Sequence, residues 1–206
     1  MLDLALLHDY LKSHHRPVHL IGHGTGGLLG LLYARQHPEK VRSLTLLAVG
    51  VHPTVDWQAY YYIHRRFWPC SRQIILTQMV DILFGHQNKY STKRLAKILE
   101  QDLDNSVSPN SLFQKMTVPL EGVPVPLMVC GSKDDIVVNS NELLGWQAWL
   151  KTGDRLWLCP QGGHFFHYFY PQQVGRMIFK FWKSLHQSDS VGFSSATTSL
   201  PKFLGR

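Results

Sequence analysis

The segment Gly22-His23-Gly24-Thr25-Gly26-Gly27 joins a short apolar run, "VHLIG", to a helical stretch with few charges, and a second apolar run follows at 43–49. Side chains nearby that could attack a carbonyl carbon are few. They are the hydroxyl of Thr25 and the thiols of Cys130 and Cys159, near the ends of later strands. A hydroxyl becomes a strong nucleophile at neutral pH only when an imidazole takes its proton. A carboxylate must in turn orient that imidazole and stabilise its charged form. Aspartates and histidines lie further along, so the residue types of acyl transfer are present. The thiols have a plainer reading as small core hydrophobes. His164 and His167 suggest a metal pair, but no third ligand is evident, so no metal is expected.

These groups must be positioned by the elements around them. Leu4, Leu7 and Leu11 share one face of a helix over 4–13. Pro17 ends it and "VHLIG" reads as a strand. From Gly26 to Gln36 a helix carries Leu28, Leu29, Leu31, Leu32 and Ala34, which leaves little polar face and predicts burial on most sides. "SLTLLAV" (43–49) is too apolar for alternation and is expected to be covered on both faces. Residues 53–120 change character, with aromatic clusters and a helical pattern at Leu76, Met79, Val80 and Leu83. "VPLMVCG" (125–131) is the next strand, Leu143, Trp146 and Leu150 mark a helix, and "RLWLCP" (155–160) is the last strand. Val174, Met177, Ile178, Phe181, Trp182 and Leu185 recur at three- and four-residue steps, as on an amphipathic helix. From 188 the chain turns Ser/Thr/Gly-rich and is expected to be a loose tail. Strands alternating with helices imply an α/β domain with a mainly parallel sheet.

Composition narrows the class. The chain has 206 residues, enough for one domain with a real core, and its 44% hydrophobic content is ordinary for a globular protein. No apolar run approaches the ~18 residues of a membrane helix. The N-terminus lacks a basic start and a small-residue cleavage site, so no signal peptide is read there. Three cysteines are an odd count, which favours reduced thiols and a cytoplasmic protein. The net charge is +7, but the cations are scattered, and without a basic tract or a nucleic-acid motif no nucleic-acid partner is expected.

The order of these elements resembles the C-terminal two-thirds of the α/β-hydrolase fold, over about residues 4–186. "GHGTGG" resembles the nucleophile elbow, usually G-x-S-x-G. "VCGSKDDIVV" resembles the strand and loop that present the triad acid, which places it at Asp134. "CPQGGHFFHYFYPQQV" resembles the loop that presents the triad base, which places it at His164. Nucleophile, acid and histidine then follow in the order this fold uses. The resemblance implies hydrolysis of an ester-type bond in an apolar small molecule, without a cofactor. It also implies a core over 1–52 and 121–187, a helical cap over 53–120 and a flexible tail over 188–206. Caps in this family cover the pocket, so Trp57, Tyr61, Phe67 and Trp68 are candidate substrate contacts. Their basic-aromatic mixture also suits a membrane surface.

Two departures from the family pattern matter. The nucleophile position is Gly24, which has no side chain to react. A strained elbow costs a non-glycine residue roughly 1–3 kcal/mol, and glycine largely removes that strain. Hydrolysis is therefore expected to be absent or very slow. Thr25 is expected to lend its backbone N–H to the oxyanion, with its hydroxyl as the surrogate nucleophile of an alternative reading. A non-catalytic binding protein on the same scaffold is another; the N-myc downstream-regulated family resembles this case, keeping the fold with glycine at the elbow. The second departure is at the start, because the family places further strands before the elbow. The elbow strand is expected to have an edge left bare by N-terminal truncation, or else covered by a second copy or a partner.

Overall fold

The computed structural model describes residues 4–52, 54, 56–85, 91–105 and 118–194. Among them four parallel strands form one sheet in the order β1-β2-β3-β4: β1 (Val18–His23), β2 (Val41–Leu47), β3 (Leu127–Ser132) and β4 (Arg155–Cys159). Parallel neighbours need crossovers, and helices supply them. The helices among the described residues are α1 (Leu4–Lys12), before the first strand; α2 (Gly24–Gln36), α3 (Trp57–Phe67), α4 (Arg72–Phe84), α5 (Thr92–Asn105) and α6 (Ser140–Leu144), between strands; and α7 (Phe166–Phe169) and α8 (Pro171–Ser194), after the last.

Side chains alternate along β3 between two separate apolar clusters. Leu127 and Val129 join one, Met128 and Cys130 the other. Since successive strand residues point to opposite faces, the clusters lie on the two faces of the sheet. One face packs against α8 through Val174, Ile178 and Phe181, at the helical spacing read from the sequence. The other packs against α2 through Leu31 and Ala34, and Leu11 of α1 joins the same cluster. β2 is buried along almost its whole length, as its unbroken apolar run requires. β1 pairs with β2 alone among the described residues.

Boundaries differ from the sequence reading in several places: α2 starts at Gly24 rather than Gly26, and β3 spans Leu127–Ser132 rather than 125–131. β2 starts at Val41 and ends at Leu47, because Ala48 turns out of the strand with φ +51°. The helix marked by Leu143, Trp146 and Leu150 is short, breaking into a 3-10 turn at Gly145–Ala148 that excludes Leu150. Trp146 is held there by its indole N–H, which donates to the Val49 carbonyl at 3.0 Å. α8 runs on to Ser194, so the first residues of the expected tail are helical; residues 195–206 lie outside the described residues.

Among the described residues three helices fall between β2 and β3. Asp56 caps α3 by accepting from the Ala59 N–H at 2.7 Å, and Ser71 caps α4 by accepting from the Ile74 N–H at 3.3 Å. Arg72 ties α4 to α5 by donating to Asp104 at 2.6 Å, with Glu100 beside it. Residues 86–90 and 106–117 of the expected cap are outside the described residues.

Candidate active site

β1 ends at His23 and α2 begins at Gly24, so the turn between them lies at the carboxyl end of the sheet. The strand end and the first helical turn touch through backbone: a Cβ on Gly22 would sit 2.5 Å from the Gly26 carbonyl oxygen. Gly24 has φ +48°, in the left-handed region that costs an L side chain roughly 1–3 kcal/mol. Its surroundings are nevertheless open, since a Cβ there would meet nothing within 4 Å. Gly24 thus combines a positive φ with open space and has no side chain to fill it.

Thr25 is engaged elsewhere. Its hydroxyl donates to Asp56 Oδ2 at 3.0 Å, on a carboxyl only 2% exposed. Burial pushes the Asp56 pKa up, and the Ala59 N–H and the Thr25 hydroxyl offset only part of that rise. The contact joins the turn to the start of α3.

The imidazole of His164 is 0% exposed, and its Nδ1 lies 2.9 Å from Asp135 Oδ2. Asp135 is fixed in turn by the N–H groups of Val137 (2.9 Å) and Val138 (3.1 Å) on its Oδ1. A carboxylate at Nδ1 favours the proton there and leaves Nε2 as the basic atom. That Nε2 has no hydrogen-bond partner among the described residues.

The carboxylate that meets His164 is therefore Asp135, not Asp134 as read from the sequence. The two follow β3 in one tight turn, and their carboxylates are directed differently. Asp134 accepts from the Ser132 hydroxyl at 2.5 Å and from the N–H groups of Gly163 (2.9 Å) and Gly162 (3.1 Å). Burial pushes its pKa up, but these donors outweigh burial and hold it below the usual carboxylate value. Asp134 shapes the loop carrying His164, while Asp135 touches the ring. Two aspartates in a row gave the sequence no means of separating these tasks.

His23, singled out in the sequence only as part of the glycine turn, joins the turn to the histidine loop. Its Nε2 donates to the His164 carbonyl at 3.0 Å, and its ring stacks on Phe165 with centroids 5.0 Å apart. His164 and His167 lie 4.8 and 4.5 Å from it, centroid to centroid. Burial, with His164 and His167 adding to it, pushes His23 well below the ordinary histidine pKa. Burial, then His164, lowers His167 to about 4. The folded state thus refuses protons that unfolded histidines accept near pH 6.5. As pH falls the unfolded chain binds them first, so this stability is complete above the unfolded pKa and is lost toward the folded one. Asp56, with its raised pKa, works in the opposite sense. The urea midpoint should fall as pH drops from 6.5 toward about 4, and His167→Gln should flatten the fall; circular dichroism across that range measures both.

A cavity of about 610 Å³ opens over the turn. Gly24, Thr25 and His23 line it from the turn, and Phe165, His167 and Tyr168 from the histidine loop. Trp57, Phe84, Leu95 and Leu99 give it apolar walls, with Gln58, Arg94 and Asp102 as polar groups. Gln58 donates to Asp102 Oδ2 at 3.0 Å, bridging α3 and α5. Of the four expected cap contacts, Trp57 alone lines this cavity. Tyr61 is buried in the core cluster, and Phe67 and Trp68 face outward. The α4 and α5 contributors were missed because their apolar spacing reads equally as core packing. Cys130 and Cys159 are buried, and burial, with Cys159 nearby, pushes the Cys130 thiol up to about 12, far from a reactive thiolate.

Comparison with known proteins gives a consistent pattern. Residues 2–176 match the model of the Alpha/beta hydrolase family. An uncharacterized protein of Synechocystis is 45% identical over 199 residues, which covers 97% of this chain and 78% of that protein. An uncharacterized protein of Nostoc is 46% identical over 181 residues, covering 88% and 72%. Among solved structures, a thermophilic esterase superposes with a TM-score of 0.72 at 14% identity, over 88% of this chain and 72% of that one.

Proposed function

The chain belongs to the alpha/beta hydrolase family, and on that premise we propose that it binds an apolar, ester-like small molecule without forming an acyl-enzyme. One observation carries the proposal. The imidazole–carboxylate pair is assembled, with His164 Nδ1 on Asp135, while its other nitrogen has no partner among the described residues and Gly24 offers no oxygen to it. Esterase-like structural neighbours and the apolar cavity support an ester-type ligand. The attack on a carbonyl carbon would need a nucleophile whose proton passes to His164 Nε2. Thr25 does not take that part, because its hydroxyl proton is given to Asp56. Thr25 and Asp56 instead hold the turn against the cap. What turnover remains is water attack aided by binding and oriented dipoles, worth roughly 10³–10⁴-fold over the uncatalysed reaction.

Titration calorimetry with a non-hydrolysable ether analogue of a medium-chain ester tests binding. The wild type should bind it, and Leu99→Trp, which fills the cavity, should weaken binding at least about tenfold. Equal binding by both proteins, or none by the wild type, would place the ligand elsewhere or remove it.

A further inference from the structure

Arg65-Arg66-Phe67-Trp68-Pro69 forms the end of α3 and the corner leading to α4, and all five residues are exposed. Phe67 is 71% exposed and Trp68 42%. Ile63, one turn back, and Ile74, in the first turn of α4, are also exposed. Large apolar side chains scattered singly over a surface mean little, but here four exposed ones fall within twelve residues around one corner of the chain. Neither Phe67 nor Trp68 lines the cavity, so ligand binding does not explain them. The corner is braced: Arg65 donates to the Cys70 carbonyl at 3.2 Å, and Trp68 sits edge-on against His64 at 4.8 Å.

Charge selects the occupant. Residues 57–80 contain Arg65, Arg66 and Arg72 and no aspartate or glutamate. Arg72 is paired with Asp104. That leaves Arg65 and Arg66 flanking the two rings, on a chain of net charge +7. The Arg66 guanidinium lies 5.9 Å from the centre of the Phe67 ring. Protruding aromatic rings beside guanidinium groups match the layering of a bilayer interface, where rings enter the headgroup–acyl boundary and cations meet lipid phosphates. We infer that this corner docks onto an anionic lipid bilayer, inserting Phe67 and Trp68 while Arg65 and Arg66 contact phosphate. No helix among the described residues is long and apolar enough to cross a membrane, so the docking is at the surface.

Co-sedimentation of the full chain with vesicles tests it, comparing phosphatidylcholine alone with phosphatidylcholine containing phosphatidylglycerol. The chain should bind the anionic vesicles preferentially, and added salt should weaken binding. Arg65→Gln and Arg66→Gln should each reduce affinity about fivefold. Phe67→Ala combined with Trp68→Ala should reduce it at least about tenfold. All four side chains are exposed, so circular dichroism should show unchanged folding. Absence of vesicle binding, as expected if the corner instead docks a protein, overturns the inference. So does equal binding to both vesicle types, or binding that none of the variants alters.

Discussion

Gly24→Ser should raise hydrolysis of a short acyl ester by at least about 10³-fold over the wild type. Loss of the nucleophile in a serine hydrolase costs on the order of 10⁶-fold in kcat. A missing oxyanion donor costs about 10²–10³-fold, so with one donor absent about 10³–10⁴-fold of the recovery would still survive. The position accepts the change: the new Cβ would meet nothing within 4 Å, and the Asp135–His164 pair is already formed. The φ of +48° is the cost, roughly 1–3 kcal/mol of stability, so the variant should have a lower urea midpoint and yet remain folded. Initial rates with p-nitrophenyl butyrate, alongside urea titrations, measure both effects. Gain of activity with loss of stability is the signature of an elbow that has lost its reacting atom. Unchanged rates in a folded variant would mean that the imidazole cannot reach position 24.

The second large effect separates two adjacent aspartates. In the Gly24→Ser background, Asp135→Asn should lower kcat by about 10⁴-fold, because the amide no longer holds the imidazole in its productive tautomer. Asp134→Asn should act mainly on stability, since the Asp134 carboxylate accepts from Ser132, Gly162 and Gly163, while the His164 ring is held by Asp135. Steady-state kinetics of the two double variants, with thermal melts, distinguish a carboxylate that orients the base from one that builds its loop. The reverse ranking would return the acid to Asp134.

Much of the scaffold was legible because the signals are local. Glycines 22 and 27 permit the strand–helix crossing, and the apolar run of β2 announces a central strand. The spacing of Val174, Ile178 and Phe181 announces α8. His164 is singled out by the resemblance of its loop, "CPQGGHFFHYFYPQQV", to the family's base-presenting loop. What failed depended on direction and exposure, which residue type does not encode. Asp134 and Asp135 are chemically identical neighbours whose carboxylates are distinguished by the turn after β3. Phe67 and Trp68 have the composition of pocket walls but lie at the C-terminal end of α3, facing outward. Tyr61 is on the same helix as Trp57, one turn away, and packs into the core instead. The Thr25 hydroxyl could not be assigned without knowing that Asp56, thirty-one residues later, returns to the elbow.

The most direct measurement is the intact mass of the wild type and of Gly24→Ser after treatment with a fluorophosphonate, which phosphonylates activated hydroxyls. The wild type should keep its unmodified mass, and the serine variant should gain a single phosphonyl group mapping to position 24. A stoichiometric adduct on the wild type, at Thr25 or at any other side chain, would contradict the absence of a nucleophile.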